Sequence, residues 1–293
     1  MTAGGIEPRR HGGLRHVEGQ GLPPAIEITD LRYAYPDGTL ALRGLSFSIA
    51  PGECVGLLGA NGSGKSTLLL HLNGILPEKP GRDSAVRLNG LPVTTANLES
   101  VRRQVGLLFQ DPDDQLFCAT VAEDVAFGPQ QLGLPATEIA TRVTSALARV
   151  GLADYAHRTP HHLSQGEKRR ACLAGVLAYE PSILVLDEPT SGLDPRGRRE
   201  FKKLLQEVPG TKLVATHDLE LVVEICPRSI VLDRGRIVAD GPTVELLGNE
   251  ELMLAHGLER PHILQHRHPH PAPVWKPRPT DDTGGAGTFR RIG

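Results

Sequence analysis

The sequence predicts an α/β fold: a mixed sheet built on a P-loop strand–loop–helix unit, preceded by antiparallel strands and interrupted by a helical subdomain. Three observations predict it. Gly59-Ala60-Asn61-Gly62-Ser63-Gly64-Lys65-Ser66-Thr67 fits G-x-x-x-x-G-K-[ST] and sits between the apolar runs Val55-Gly56-Leu57-Leu58 and Leu68-Leu69-Leu70, where a buried strand hands over to a helix. Ile183-Leu184-Val185-Leu186 is wholly apolar and ends in Asp187-Glu188, as a central parallel strand does when it presents carboxylates at its carboxyl end. Between residues 112 and about 178 the pattern turns helical while both flanks read as strand, which places an inserted unit between halves of a sheet.

Composition narrows the class. The 293 residues carry a formal charge of −2, and their hydrophobic (39%) and charged (23%) fractions are those of an ordinary globular protein. With no global basic field, nucleic acid is not a favoured partner. No window approaches the roughly eighteen consecutive apolar residues of a membrane helix, and Met1 to Pro24 lacks the apolar centre of a signal peptide, so the chain is expected in the cytoplasm. The four cysteines, Cys54, Cys118, Cys172 and Cys226, lie far apart without a C-x-x-C pair; buried free thiols are expected rather than a zinc, iron–sulfur or disulfide framework.

Residues 1–24 have no periodicity and read as a disordered leader. Ile26-Glu27-Ile28 and Leu45-Ser46-Phe47-Ser48-Ile49 alternate as strands, separated by the turn signal Pro36-Asp37-Gly38. Tyr35, at the end of the first, is suited either to stack on a base or to fill the core. In the loop itself, Gly59, Gly62 and Gly64 permit the curl that turns successive N–H groups into one concavity, to which Ala60, Asn61, Ser63 and Thr67 also contribute backbone. A polyphosphate is the natural occupant: Lys65 reaches its terminal phosphates and the Ser66 hydroxyl suits a magnesium ion. Val105-Gly106-Leu107-Leu108-Phe109 is a further buried strand, ending at Gln110, whose amide is placed to meet a bound magnesium or water.

Thr120-Val121-Ala122-Glu123 is a capping box, and Ile139, Val143, Ala146, Leu147 and Val150 recur at helical spacing until Gly151. The paired acids have distinct tasks: Asp187 to hold magnesium and Glu188 to polarise water as a general base. Leu213-Val214-Ala215-Thr216 is another strand, ending in His217, which is either structural or placed to touch a γ-phosphate or water. Ser229 to Val238 reads as a hairpin and Thr243 to Leu247 as a helix. From Gly257 to the end the chain is His/Pro/Gly-rich, expected to be a disordered tail; its His262, His266, His268 and His270 either collect metal or are incidental.

Taken in order, these motifs strongly resemble the ATPase subunit of ATP-binding cassette transporters over residues 25–256. By that resemblance Gly59–Thr67 is the Walker A loop, Gln110 the Q-loop, Leu163-Ser164-Gln165-Gly166-Glu167 the signature, Ile183–Glu188 the Walker B strand, Ser191–Asp194 the D-loop and His217 the switch histidine. It assigns Tyr35 to adenine stacking and Ser66, Gln110 and Asp187 to magnesium. Catalysis falls to Glu188, His217 and Gln110, and ATP with Mg²⁺ is implied. In this family Ser164, Gln165, Gly166 and Glu167 face the nucleotide of an opposite subunit, so two chains sandwich two nucleotides. The signature departs from L-S-G-G-Q at Gln165 and Glu167; Ser164-x-x-Glu167 still forms a capping box, and Glu167 is expected to fold back onto its own cap.

Phe109 to Phe117 and Glu123 to Pro129 are similar to the ATPases of energy-coupling-factor transporters. The run Gly166-Glu167-Lys168-Arg169-Arg170 and His256 to Pro261 before a histidine-rich end are most similar to the cobalt/nickel import branch. The resemblance implies a homodimer on the cytoplasmic face of the membrane, working with a transmembrane coupling subunit and a small substrate-binding membrane subunit. Coupling is expected through the groove around Gln110, beside Asp113, Asp114 and Gln115. A vitamin importer shares most of these motifs, and a soluble cassette ATPase of iron–sulfur cluster assembly fits the size. A DNA-repair cassette does not: only about a hundred residues separate cradle and signature, leaving no room for a long heptad segment.

Overall fold

A computed structural model describes residues 22–265 except 79, 82, 83 and 260, with 262 and 265 described by backbone only. Its elements are β1 (Ile26–Ala34), β2 (Leu40–Ile49), β3 (Cys54–Leu58), α1 (Lys65–Leu72), β4 (Val86–Leu88), β5 (Leu91–Pro92), α2 (Leu98–Gln104) and β6 (Val105–Leu108). There follow α3 (Val121–Gln131), α4 (Ala136–Arg149), α5 (Gln165–Leu177), β7 (Ile183–Asp187), α6 (Pro195–Glu207), β8 (Thr211–Ala215) and α7 (Leu219–Ile225). The chain continues with β9 (Arg228–Asp233), β10 (Arg236–Pro242), α8 (Thr243–Gly248), α9 (Glu250–Ala255) and α10 (His262–Gln265).

The described strands make two sheets. The antiparallel sheet has the order β2-β1-β4-β5, and the larger one β10-β9-β3-β8-β7-β6, parallel except for the β9–β10 hairpin. Every residue of β6, β7 and β8 is buried, which is why Val105–Leu108, Ile183–Leu186 and Leu213–Ala215 read as apolar runs. Successive side chains leave a strand on opposite faces. Accordingly Ile183, Val185 and Leu213 join a core with Leu68 and Leu72 of α1 and with the antiparallel sheet, through Ile26 and Leu42. Leu184, Leu186 and Val214 join a second core with Val125 of α3, Leu147 of α4, Leu173 of α5 and Phe201 of α6.

The parallel order brings the carboxyl ends of β3, β6, β7 and β8 to one edge, where the predicted site motifs follow in turn. Between β6 and β7 the chain is helical, through α3, α4 and α5. The predicted capping box at Thr120 forms: the Glu123 N–H donates to Thr120 Oγ1 at 3.3 Å and the Thr120 N–H to Glu123 Oε2 at 3.0 Å.

One expectation is corrected. Folded structure does not stop at residue 256: Leu258 is buried against the second core, its N–H closes onto the Met253 carbonyl at 2.8 Å, and Gly257 turns the chain at φ 69°. Apolar side chains past a glycine stop a helix in this way when the core still has room for them. All four cysteines are free, as expected, but only Cys172 and Cys226 are buried, Cys54 and Cys118 being partly so; Cys54 Sγ and Cys226 Sγ lie 3.6 Å apart. Residues 1–21 of the leader, and His266, His268 and His270 of the tail, lie outside the described residues.

Candidate active site

The loop after β3 forms one wall of a cavity of about 760 Å³. Gly59, Ala60, Asn61, Gly62, Gly64, Lys65, Ser66 and Thr67 line it, with Tyr35, Gln110, Asp187, Glu188 and His217 across from them. Backbone demands explain two glycines. A Cβ on Gly59 would stand 2.1 Å from the Leu232 carbonyl, and one on Gly64, at φ 107°, would stand 2.9 Å from the Ala41 carbonyl. No side chain fits either place. Ser63 is the exception among the predicted loop residues: it is buried beneath the loop, its hydroxyl unpartnered, and does not line the cavity. The Lys65 ammonium folds onto the loop's own carbonyls, 2.8 Å from Gly59 O and 3.3 Å from Ala60 O. Burial pulls its pKa down, against the Glu188 and Asp187 charges that push it up. The Tyr35 hydroxyl meets Thr67 Oγ1 at 2.9 Å while its ring stands edge-on to Tyr33 at 5.1 Å, so the ring stands at the cavity wall.

The two acids differ in environment. Asp187, 9% exposed, ends β7 with its Oδ1 buried and without a hydrogen-bond partner. Burial raises its carboxyl above the ordinary range, opposed first by the Ser66 hydroxyl; Glu188 adds to the rise, and Lys65 and Arg169 oppose it. A buried anionic oxygen beside a hydroxyl fits a hard divalent cation. Among the described residues no cluster of three or more His, Cys, Asp or Glu offers a metal site of its own. Magnesium takes few protein ligands and fills its shell with phosphate oxygens and water.

Glu188 breaks the strand at φ 46°, a left-handed conformation costing on the order of 1–3 kcal/mol for a non-glycine residue. The turn is held by the Glu188 N–H donating to Ala215 O at 2.8 Å. Its carboxylate accepts from Thr216 Oγ1 at 2.9 Å and from the His217 N–H at 3.1 Å, and pairs with His217 Nδ1 at 2.8 Å. The His217 ring stays largely exposed, at 69%, facing the cavity.

The signature lies elsewhere. Ser164, Gln165, Gly166 and Glu167 line a second cavity of about 750 Å³ together with Asp194, separate from the first. Glu167 folds back as expected: its Oε2 accepts from the Ser164 N–H at 2.8 Å and the Ser164 hydroxyl at 2.7 Å. Burial works to raise its pKa, but the hydrogen bonds from Ser164 and Tyr155, with Arg170 nearby, outweigh this and hold it low. Asp194 caps α6, accepting from the Gly197 N–H at 2.6 Å ahead of Pro195. Gln110, exposed at the mouth, lines the first cavity and also a third that runs toward α5.

Sequence reasoning missed several contributors. Thr39, Leu40 and Ala41 line the first cavity from the start of β2, and Gly257 and Leu258 close it from the far end of the chain. Gly257 sits opposite Ala60, within 3.8 Å of its Cβ for an added methyl. No local pattern carries such a pairing. Thr216 and Arg169 were also unread, although a threonine beside a strand-end histidine, two residues from a cap, was a visible hydroxyl donor.

A parallel sheet delivering a phosphate loop, an orphaned aspartate and a braced glutamate to one edge defines the P-loop nucleoside-triphosphate-binding class. The sequence profile of the ABC transporter family matches residues 42–191. An ABC transporter ATP-binding protein of Gloeobacter violaceus is 56% identical over 80% of this chain and 96% of its own length. The energy-coupling factor transporter ATP-binding protein EcfA of Carboxydothermus hydrogenoformans is 47% identical over 82% of this chain and 89% of its own. Among solved structures, CbiO1 of Clostridium perfringens, part of the ABC transporter complex CbiONQ, is 39% identical with a TM-score of 0.69, covering 83% of this chain and 98% of that one. The dimeric, ADP- and Pi-bound cassette MJ0796 is 25% identical with a TM-score of 0.67, covering 74% and 98%. The chain belongs to the ABC transporter family, as an ATP-binding, ATP-hydrolysing subunit with relatives of the energy-coupling-factor type. No helix among the described residues is long and apolar enough to cross a membrane.

Proposed function

We propose that the protein hydrolyses MgATP between two copies of itself to drive a membrane importer of cobalt or nickel ions. The observation that carries the dimer is the division of the motifs: phosphate loop, acids and His217 line one cavity, while the signature and Asp194 line another. A second copy facing the first supplies the missing half of each site. MJ0796, with the same fold, is dimeric.

Within each site Lys65 leaves its loop carbonyls for the terminal phosphates, whose charge its ammonium pairs. Ser66, Asp187 and Gln110 hold magnesium, which when bound neutralises charge on the phosphates. Glu188, its carboxylate fixed by Thr216 and His217, accepts a proton from water as general base, and His217 orients toward the γ-phosphate. Tyr35 stacks on adenine. The Gln165 and Gly166 N–H groups, in the first turn of α5, offer donors to the partner's nucleotide, while Ser164 and Glu167 cap one another.

The membrane partners are a transmembrane coupling subunit and a small substrate-binding subunit, met at the cytoplasmic face. Phe117 and Phe127, both exposed and edge-to-face at 5.0 Å, flank a groove of about 240 Å³ that also takes in Asp114 and Gln115. Gln115 braces that groove through Cys172 O at 3.2 Å, and Asp113 pairs with Lys168 at 2.6 Å. The cobalt/nickel assignment rests on the resemblance carried by Gly166–Arg170 and by His256–Pro261 before a histidine-rich end. The cassette begins near residue 25 and runs past 256 to take in Leu258, with a helical insert near 112–178. Uptake of nickel and cobalt by cells holding this chain with its native membrane partners, wild type against Glu188→Gln, tests the reading. Loss of uptake of either metal is expected; unchanged uptake of both moves the assignment to a vitamin importer using the same engine.

A further inference from the structure

The molecule buries a guanidinium beside its hydrolytic groups. Arg169, 2% exposed in the second turn of α5, donates Nη1–H to the Phe109 carbonyl at 2.8 Å and Nη2–H to the Ser191 carbonyl at 3.2 Å. Its Nε is buried without a partner. Phe109 is the residue before Gln110, and Ser191 opens the segment that ends in Asp194. With Ser66, Gln110, Asp187 and Gln165, Arg169 lines the third cavity, of about 660 Å³, between the sheet edge and α5. Around it stand the carboxylates of Asp111, Asp187 and Glu188. A buried charge spent on two neutral carbonyls is costly for stability alone, since an apolar side chain would fill the space without desolvating a cation.

We propose that Arg169 is a positioning residue for ATP hydrolysis. Its planar fork ties the signature helix at once to the loop carrying Gln110 and to the loop carrying Asp194, so the signature of one site and the water- and metal-facing groups of the other move as a unit. It touches neither nucleotide nor magnesium; it acts through two backbone carbonyls. Only a fork can hold both: a lysine reaches one point at a time. The inference rests on the proposed hydrolytic roles of Gln110 and Glu188.

The test compares full-length wild type with Arg169→Lys, Arg169→Gln and Glu188→Gln for thermal unfolding, affinity for a fluorescent ATP analogue with magnesium, KM and kcat. In both Arg169 variants kcat is expected to fall about ten-fold or more, with affinity and KM within roughly two-fold and unfolding still cooperative. Wild-type kcat in Arg169→Lys would mean that charge alone suffices and would overturn the fork. Wild-type kcat in both, or loss of cooperative unfolding in both, would overturn the positioning role. Wild-type hydrolysis by Glu188→Gln would instead remove the underlying reading of Glu188, whatever the Arg169 variants do.

Discussion

Asp187 shows how a site residue is held at odds with stability. Its carboxylate is buried, one oxygen has no donor, and burial raises its pKa. Since the folded-state value lies above the unfolded one, the folded protein keeps a proton that the unfolded chain has lost between the two. Stability from this group therefore falls as pH rises through that window and stays lower above it. Asp187→Asn should raise the unfolding temperature of nucleotide-free protein at neutral pH and flatten that acid-side slope. It should also remove most of the extra stabilisation that MgATP gives over ATP alone, because that gain depends on ligand affinity for the folded state. Thermal scans with and without magnesium check it; an asparagine variant no more stable than wild type would contradict the burial argument.

At the scale of elements, α5 carries the departure from the family signature. Glu167 spends its charge on Ser164 and its backbone N–H, and on Tyr155, rather than on the space in front of the helix. A glutamine there can make the same reciprocal cap, worth roughly 1 kcal/mol. Glu167→Gln should accordingly leave the ATPase rate within about two-fold of wild type. A several-fold increase would show that the charge does reach the phosphate. Elements also set what could be read in advance. Central strands declared themselves because parallel strands buried on both faces leave an apolar run, Ile183–Leu186 in β7 and Leu213–Ala215 in β8. The β4–β5 hairpin was missed because its strands are only three and two residues long, too short for a period. Yet Asn89-Gly90, with φ 47° and 80°, is the turn signal that marks it. The helix α6 went unread, although Asp194-Pro195 is a cap followed by a proline suited to the first helical turn.

At the scale of the whole molecule, the sequence named the pieces of the site and the sheet order decided which of them meet. Strands β3, β6, β7 and β8 are distant in the chain and adjacent at one edge, so motifs more than a hundred residues apart share one cavity. Gly257 and Leu258 reach the same cavity from beyond the predicted end of the domain, a placement fixed by tertiary packing of α8 and α9 and carried by no local pattern. The signature's separation from that cavity is the feature from which the account of a two-chain enzyme follows. Light scattering of purified Glu188→Gln with MgATP tests it most directly. Slowed hydrolysis should hold the closed state, so the account predicts a species of twice the 31.5 kDa chain that forms with MgATP and dissociates when magnesium is chelated. A strictly monomeric Glu188→Gln that binds MgATP, alongside a monomeric wild type that hydrolyses it at undiminished rate on dilution, would contradict it.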